Sequence, residues 1–218
     1  MDRRDFLGLA ASCGLVPGWA PAGPGDDEDV ERARTVLAAA RSFGTGGGYD
    51  RSWGGTGVPV EIAHRGRRVL SKAKNGTYCC GFTFAAAMRA LEGTKALERL
   101  DGDDARAFQK AWYGATEASA ERQCAFAVEQ FRLGREIDLD DAGAGDFIQI
   151  WRRSKKPSGH SVMLLGWVEA GGERLGLTYL SSQGSTDGIG VAFEAFAGAG
   201  IEGGRVDPER TYAARLTL

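Results

Sequence analysis

The chain has 218 residues, with 27 Lys and Arg against 29 acidic residues and a formal net charge of -2. That balance excludes a surface built to hold a nucleic-acid backbone or an anionic membrane. With 43% hydrophobic and 26% charged residues, the composition also excludes disorder.

The first residues, Met1-Asp2-Arg3-Arg4-Asp5-Phe6-Leu7, place paired arginines before a weakly apolar run from Leu7 to Val16. That run is too short to span a bilayer and reads as a twin-arginine export signal. Small residues at Ala20-Pro21-Ala22 suit cleavage after Ala22, while Ala11-Ser12-Cys13 offers Cys13 as an alternative lipid-attachment site. Residues 1–28 are therefore expected to be leader and linker. Residues 29–218 are expected to be one domain with no transmembrane span, periplasmic or in the cell envelope.

Val30 to Ala40 has helical content and spacing, and the glycine-rich stretch Gly44 to Gly57 reads as loop. The loop is no phosphate cradle, because it lacks the Gly-Lys-Ser/Thr ending such a cradle needs. After the turn signal Asn75-Gly76, Phe82, Ala85, Ala86 and Ala90 recur at helical spacing, with Phe84, Met88 and Leu91 as a second apolar stripe. Cys79 and Cys80 thus fall at a helix N-terminus. Asp103 to Gly134 reads as one or two helices, with Cys124 on an apolar face. The period then changes, and Asp146 to Trp151, His160 to Val168, Leu175 to Ser181 and Tyr212 to Leu218 read as strands. Helices followed by a mostly antiparallel sheet predict an α+β fold.

Three cysteines follow the leader, an odd number that argues against a disulfide framework. With only two histidines, His64 and His160, and no CxxC or HxxxH spacing, neither a metal nor a cofactor is expected. The thiolate of a cysteine is the nucleophile, and the positive end of a helix stabilises that form. The base it needs is then His160, which opens the apolar run Ser161-Val162-Met163-Leu164-Leu165. His64 lies among Arg65, Arg67 and Arg68 and reads as a surface residue. Asp146 reads as a structural turn acid, and Arg152-Arg153-Ser154-Lys155-Lys156 as a solvated hairpin tip that could also greet the carboxylates of a peptide.

Tyr78-Cys79-Cys80-Gly81-Phe82 resembles the Asp-Cys-Ser-Gly-Leu/Phe box of the NlpC-type, CHAP-like cell-wall peptidases. Gly145-Asp146-Phe147 and Gly159-His160-Ser161-Val162 resemble their Gly-Asp-Leu and Gly-His-Val strands, in the same chain order. The resemblance spans roughly Thr77 to Ser185 and implies a papain-like fold with the cysteine helix on the sheet. It implies Cys79 as nucleophile, with Cys80, in the family's Ser position, as the alternative. Tyr78 stands where the family has Asp. An orienting residue for the histidine is expected on the next strand, with Gln183 chosen and Ser181 as the alternative. Tyr78 and the backbone N–H groups at the helix start are candidates for the oxyanion site. The expected activity is hydrolysis of amide bonds, with a peptide or peptidoglycan-like substrate. Two other readings remain open: an inactive papain-like domain that binds envelope peptides or a protein partner, and a redox protein using the vicinal pair Cys79 and Cys80.

Overall fold

The computed structural model describes residues 26–154 and 158–218. Cys13, Ala22 and the tip of the basic turn at 155–157 lie outside the described residues. Helix α1 (Asp26–Arg41) starts before the predicted Val30, because Asp27, Glu28 and Asp29 suit the positive end of a helix. The glycine-rich loop follows, with only the two-residue strand β1 (Gly46–Gly47) in it.

A hairpin that the sequence did not announce comes next, β2 (Ile62–His64) and β3 (Arg67–Leu70). Arg65 at φ 48 and Gly66 at φ 73 form its tight turn. Strand alternation turns Ile62 and His64 inward and Ala63 outward, which corrects the surface reading of His64. Its ring is buried, with Nε2 2.8 Å from the Leu100 carbonyl.

Helix α2 (Cys79–Ala90) is buried on nearly every side rather than along two stripes. A short helix α3 (Lys95–Glu98) leads to α4 (Gly102–Trp112), which starts at a capping box made by Asp101 and Asp104. Past a 3₁₀ turn at Glu117–Ser119 lies α5 (Cys124–Gln130), where Cys124 is buried as expected. The helical reading ends early, since Gly134 opens strand β4 (Gly134–Ile137).

The remaining strands are β5 (Phe147–Arg152), β6 (Ser158–Ala170), β7 (Glu173–Gln183), β8 (Gly188–Ala195) and β9 (Val206–Leu216). They form a seven-stranded sheet in the order β1-β8-β7-β6-β5-β9-β4, antiparallel at every pairing. The fold is therefore mixed α+β with an antiparallel sheet. One face, bearing Phe147, Met163 and Leu180, packs on Phe82, Phe84 and Phe108 of the helices. The other, with Ile148, Ile150, Val162, Leu164 and Tyr179, is covered by Ala142, Phe196 and Val206.

One irregularity positions everything below. The β6–β7 ladder runs from Ala170↔Glu173 to Met163↔Leu180, yet β6 reaches back to Ser158 and β7 on to Gln183. Past Met163 the two strands part, leaving a notch whose edges carry His160 and Ser161 on one side and Ser181 to Gln183 on the other.

Candidate active site

The N-terminus of α2 enters this notch. Thr77 Oγ1 lies 2.7 Å from Ser182 Oγ, and Ser181 Oγ donates to the Ser161 carbonyl at 2.7 Å. On the other side, Thr77 N–H donates to Gly48 O at 3.0 Å and Tyr78 N–H to Gly57 O at 3.3 Å. Gly81 permits that approach, since a Cβ there would stand 2.3 Å from the Gly57 carbonyl carbon. Loop 44–57 is thus fastened to the start of the helix.

The first helical turn has no capping side chain and no acidic residue. Phe82 N–H reaches Tyr78 O at 2.9 Å, and among the described residues no backbone acceptor meets the N–H groups of Cys79, Cys80 or Gly81. The positive end of the helix is therefore left for the thiols.

Both cysteines are half-buried and free, and both line a cleft of about 750 Å³ with His160, Gln183 and Tyr78. They differ in chemistry. The Cys80 thiol donates to the Cys79 sulfur, and the charge and hydrogen bond of His160, with the Ser161 N–H, add to it. Against the opposing effect of burial, these hold Cys79 well below the ordinary thiol range. Cys80, as donor in that pair and itself desolvated, is pushed well above it. Of the two thiols, Cys79 is thus the one that ionises first.

His160 is 5% exposed, and its ring packs edge-on against Tyr179 with centroids 5.6 Å apart. Among the described residues its Nε2 has no hydrogen-bond partner, and neither does Gln183 Oε1 in the same cleft. The Gln183 amide is fixed from its other end, with Nε2 donating to Thr186 Oγ1 at 2.8 Å and to Gly190 O at 3.2 Å. Ser181, the alternative orienting residue, is spent on the Ser161 carbonyl. Tyr78 donates its hydroxyl proton to Gly55 O at 2.6 Å, so it contributes to the cleft as a wall.

Arg152, read from sequence as part of a solvated tip, lies in β5 and pairs with Glu194 through two hydrogen bonds of 2.6 and 2.5 Å. Glu194 also accepts from the Tyr179 hydroxyl at 2.7 Å. Arg153 pairs with Asp207 at 3.0 Å. The sequence reading missed this group, and also Tyr49, Trp53, Tyr113, Gln123 and Trp151, which complete the cleft. Aromatic residues in the glycine-rich loop were a visible signal for the first two. Gln123 carried none, although its φ of 42° and ψ of -105° mark a backbone held in strain at the cleft wall. Among the described residues no three His, Cys, Asp or Glu side chains gather as a metal site.

No family model, no curated protein and no solved structure matches the chain.

Proposed function

We propose that the protein is a papain-like cysteine hydrolase that cleaves amide bonds in cell-envelope peptides after export through its twin-arginine leader. The observation that carries this reading is Cys79 at an uncapped helix N-terminus, set against the His160 ring and the Ser161 N–H. The export and substrate parts rest on the leader sequence and on the resemblance of the three boxes, and are tested separately below.

In this reading the Cys79 thiolate attacks the amide carbonyl and the oxyanion forms toward the positive end of the helix, whose first N–H groups meet no backbone acceptor among the described residues. His160 gives its proton to the leaving nitrogen as the C–N bond breaks, which leaves a thioester. It then takes a proton from the water that attacks the thioester, and Cys79 is released. Gln183 Oε1 is an acceptor without a donor and His160 Nε2 is a site without an acceptor, so Gln183 is the residue we assign to orient the imidazole.

The same two unpartnered atoms favour the second reading, a binding domain whose base is not held for catalysis. p-Nitrophenyl acetate separates the two. Burst release of nitrophenol with one acetyl group mapped to Cys79, absent in Cys79→Ala and His160→Ala, is expected of the hydrolase. A folded protein that gains no acetyl group at Cys79 would be the binding domain. Release of peptides from isolated cell-wall material then tests the substrate class, and fractionation of cells carrying Arg3→Lys and Arg4→Lys tests the export route.

A further inference from the structure

The cleft around Cys79 has two lobes. One is walled by Tyr49, Trp53, Tyr78, Tyr113 and Trp151, with Gln123 beside them. The other, about 490 Å³, shares Arg152, Ser158 and Gln183 with the first and mixes the exposed charges of Glu202 and Arg205 with Phe193 and Ile201.

The polar handles of Tyr78, Tyr113, Trp151 and Trp53 are already used. Tyr113 donates to Thr56 O at 2.6 Å, Tyr78 to Gly55 O at 2.6 Å and Trp151 to Glu121 O at 2.9 Å. The Trp53 indole N–H donates to Tyr49 Oη at 3.1 Å. What these residues turn to the cleft is ring carbon, and the Tyr78 and Tyr113 rings stand edge to face at 6.1 Å and 76°. Arg152, the one permanently charged side chain among the residues lining this lobe, is neutralised by Glu194 and holds Ser158 Oγ at 3.1 Å. Trp53 is 67% exposed at the lip, with a left-handed backbone at φ 50. A large indole held in solvent beside a reactive thiol gains by being covered with apolar surface, whereas a charged group placed here would lose its water and meet no free opposite charge.

Resting on the hydrolase reading, we propose that the aromatic lobe selects substrates with an aromatic side chain on one flank of the scissile amide, and that the mixed lobe takes the other flank. Trp53 is the specificity-determining residue of the aromatic side.

Matched alkylating reagents test this without a known substrate. Iodoacetamide, its N-phenethyl derivative and its N-carboxyethyl derivative share one electrophile. In each, the thiolate forms a C–S bond as the C–I bond breaks and iodide leaves with the electron pair. Rates at Cys79 are read by peptide mapping and divided by those of free cysteine under the same conditions. The phenethyl reagent should exceed iodoacetamide by at least about tenfold, as covering a phenyl ring implies, and the carboxyethyl reagent should fall below it. Trp53→Ala should bring the phenethyl preference to about twofold, and Trp53→Phe should keep most of it. Equal rates for the three reagents, a preference for the carboxylate, or a preference untouched by Trp53→Ala would overturn the inference. If iodoacetamide itself reacts with Cys79 no faster than with free cysteine near neutral pH, the hydrolase reading falls instead.

Discussion

Two buried polar clusters sit at opposite ends of β5, and they are built on opposite plans. Asp146, fully buried just before the strand, has its carboxylate saturated. Arg215 reaches it at 3.1 and 2.8 Å, Gly143 N–H at 2.9 Å, and Arg32 of α1 stands 2.9 Å away. Asp29 holds Arg215 from the other side at 3.0 Å. At the far end, past Arg152, His160 Nε2 and Gln183 Oε1 are buried with no partner among the described residues, and the Cys79 thiol, held well below its ordinary range, lies at a helix start. The first cluster ties α1 to the sheet, and its one buried atom outside hydrogen-bond geometry, Arg32 Nη1, is still held by the charge of Asp146. In the second, unmet hydrogen-bonding capacity is kept beside a nucleophile, which is where a substrate or water can complete it.

The comparison can be broken at either end. Cys79→Ala and His160→Ala should each lower turnover by at least about a thousandfold while leaving the unfolding midpoint close to wild type, as expected of groups that act as a unit. Asp146→Asn should do the reverse. It leaves Arg215 and Arg32 facing a neutral amide in a buried site and should cost about 3–5 kcal/mol in urea unfolding, with alkylation of Cys79 in the folded fraction unchanged. If Asp146→Asn proved neutral for stability and harmful to Cys79, the division of labour between the clusters would be wrong.

Smaller effects sharpen the functional end. Gln183→Leu should lower kcat about tenfold with KM little changed, and it should narrow the pH range of activity, because an imidazole without an orienting acceptor is less often correctly placed. A purely structural role for Gln183 would lower stability without altering the pH profile. Cys80→Ala should still label at Cys79. Loss of the thiol donor that most depresses Cys79 should move the lower edge of its labelling profile upward in pH, with a change of about threefold in rate below that edge. The sign follows from the thiolate: labelling is full above the depressed value and is lost as pH falls through it. Cys124, pushed up to about 12 by burial, should stay unlabelled in the folded protein at pH values where Cys79 is exhausted.

Much of this was legible in the sequence where apolar periodicity and chemistry coincide. The Phe82, Ala85, Ala86 spacing placed the cysteines at a helix start, and the apolar run after His160 placed it on a strand. Asp146, read as a turn acid ahead of a strand, does accept the Gly143 N–H just before β5. What escaped depends on residues that meet only after folding. The notch exists because the β6–β7 ladder stops at Met163, which no local pattern encodes. The Arg152–Glu194 pair joins residues 42 positions apart, so Arg152 looked like one more cation in a basic turn. His64 was misread because its arginine neighbours dominate the local composition, while a three-residue strand decides which way the ring points. β4 and β8 were missed for lack of an apolar alternation: one reads Gly-Arg-Glu-Ile, and the other opens Gly-Ile-Gly.

The most direct test is the pH dependence of iodoacetamide labelling, mapped by peptide, in wild type and His160→Ala. At about pH 5.5 a thiol of ordinary pKa barely reacts. The account predicts fast labelling confined to Cys79 at that pH, lost when His160 is removed. Uniformly slow labelling of every cysteine, or fast labelling that survives without His160, would contradict it.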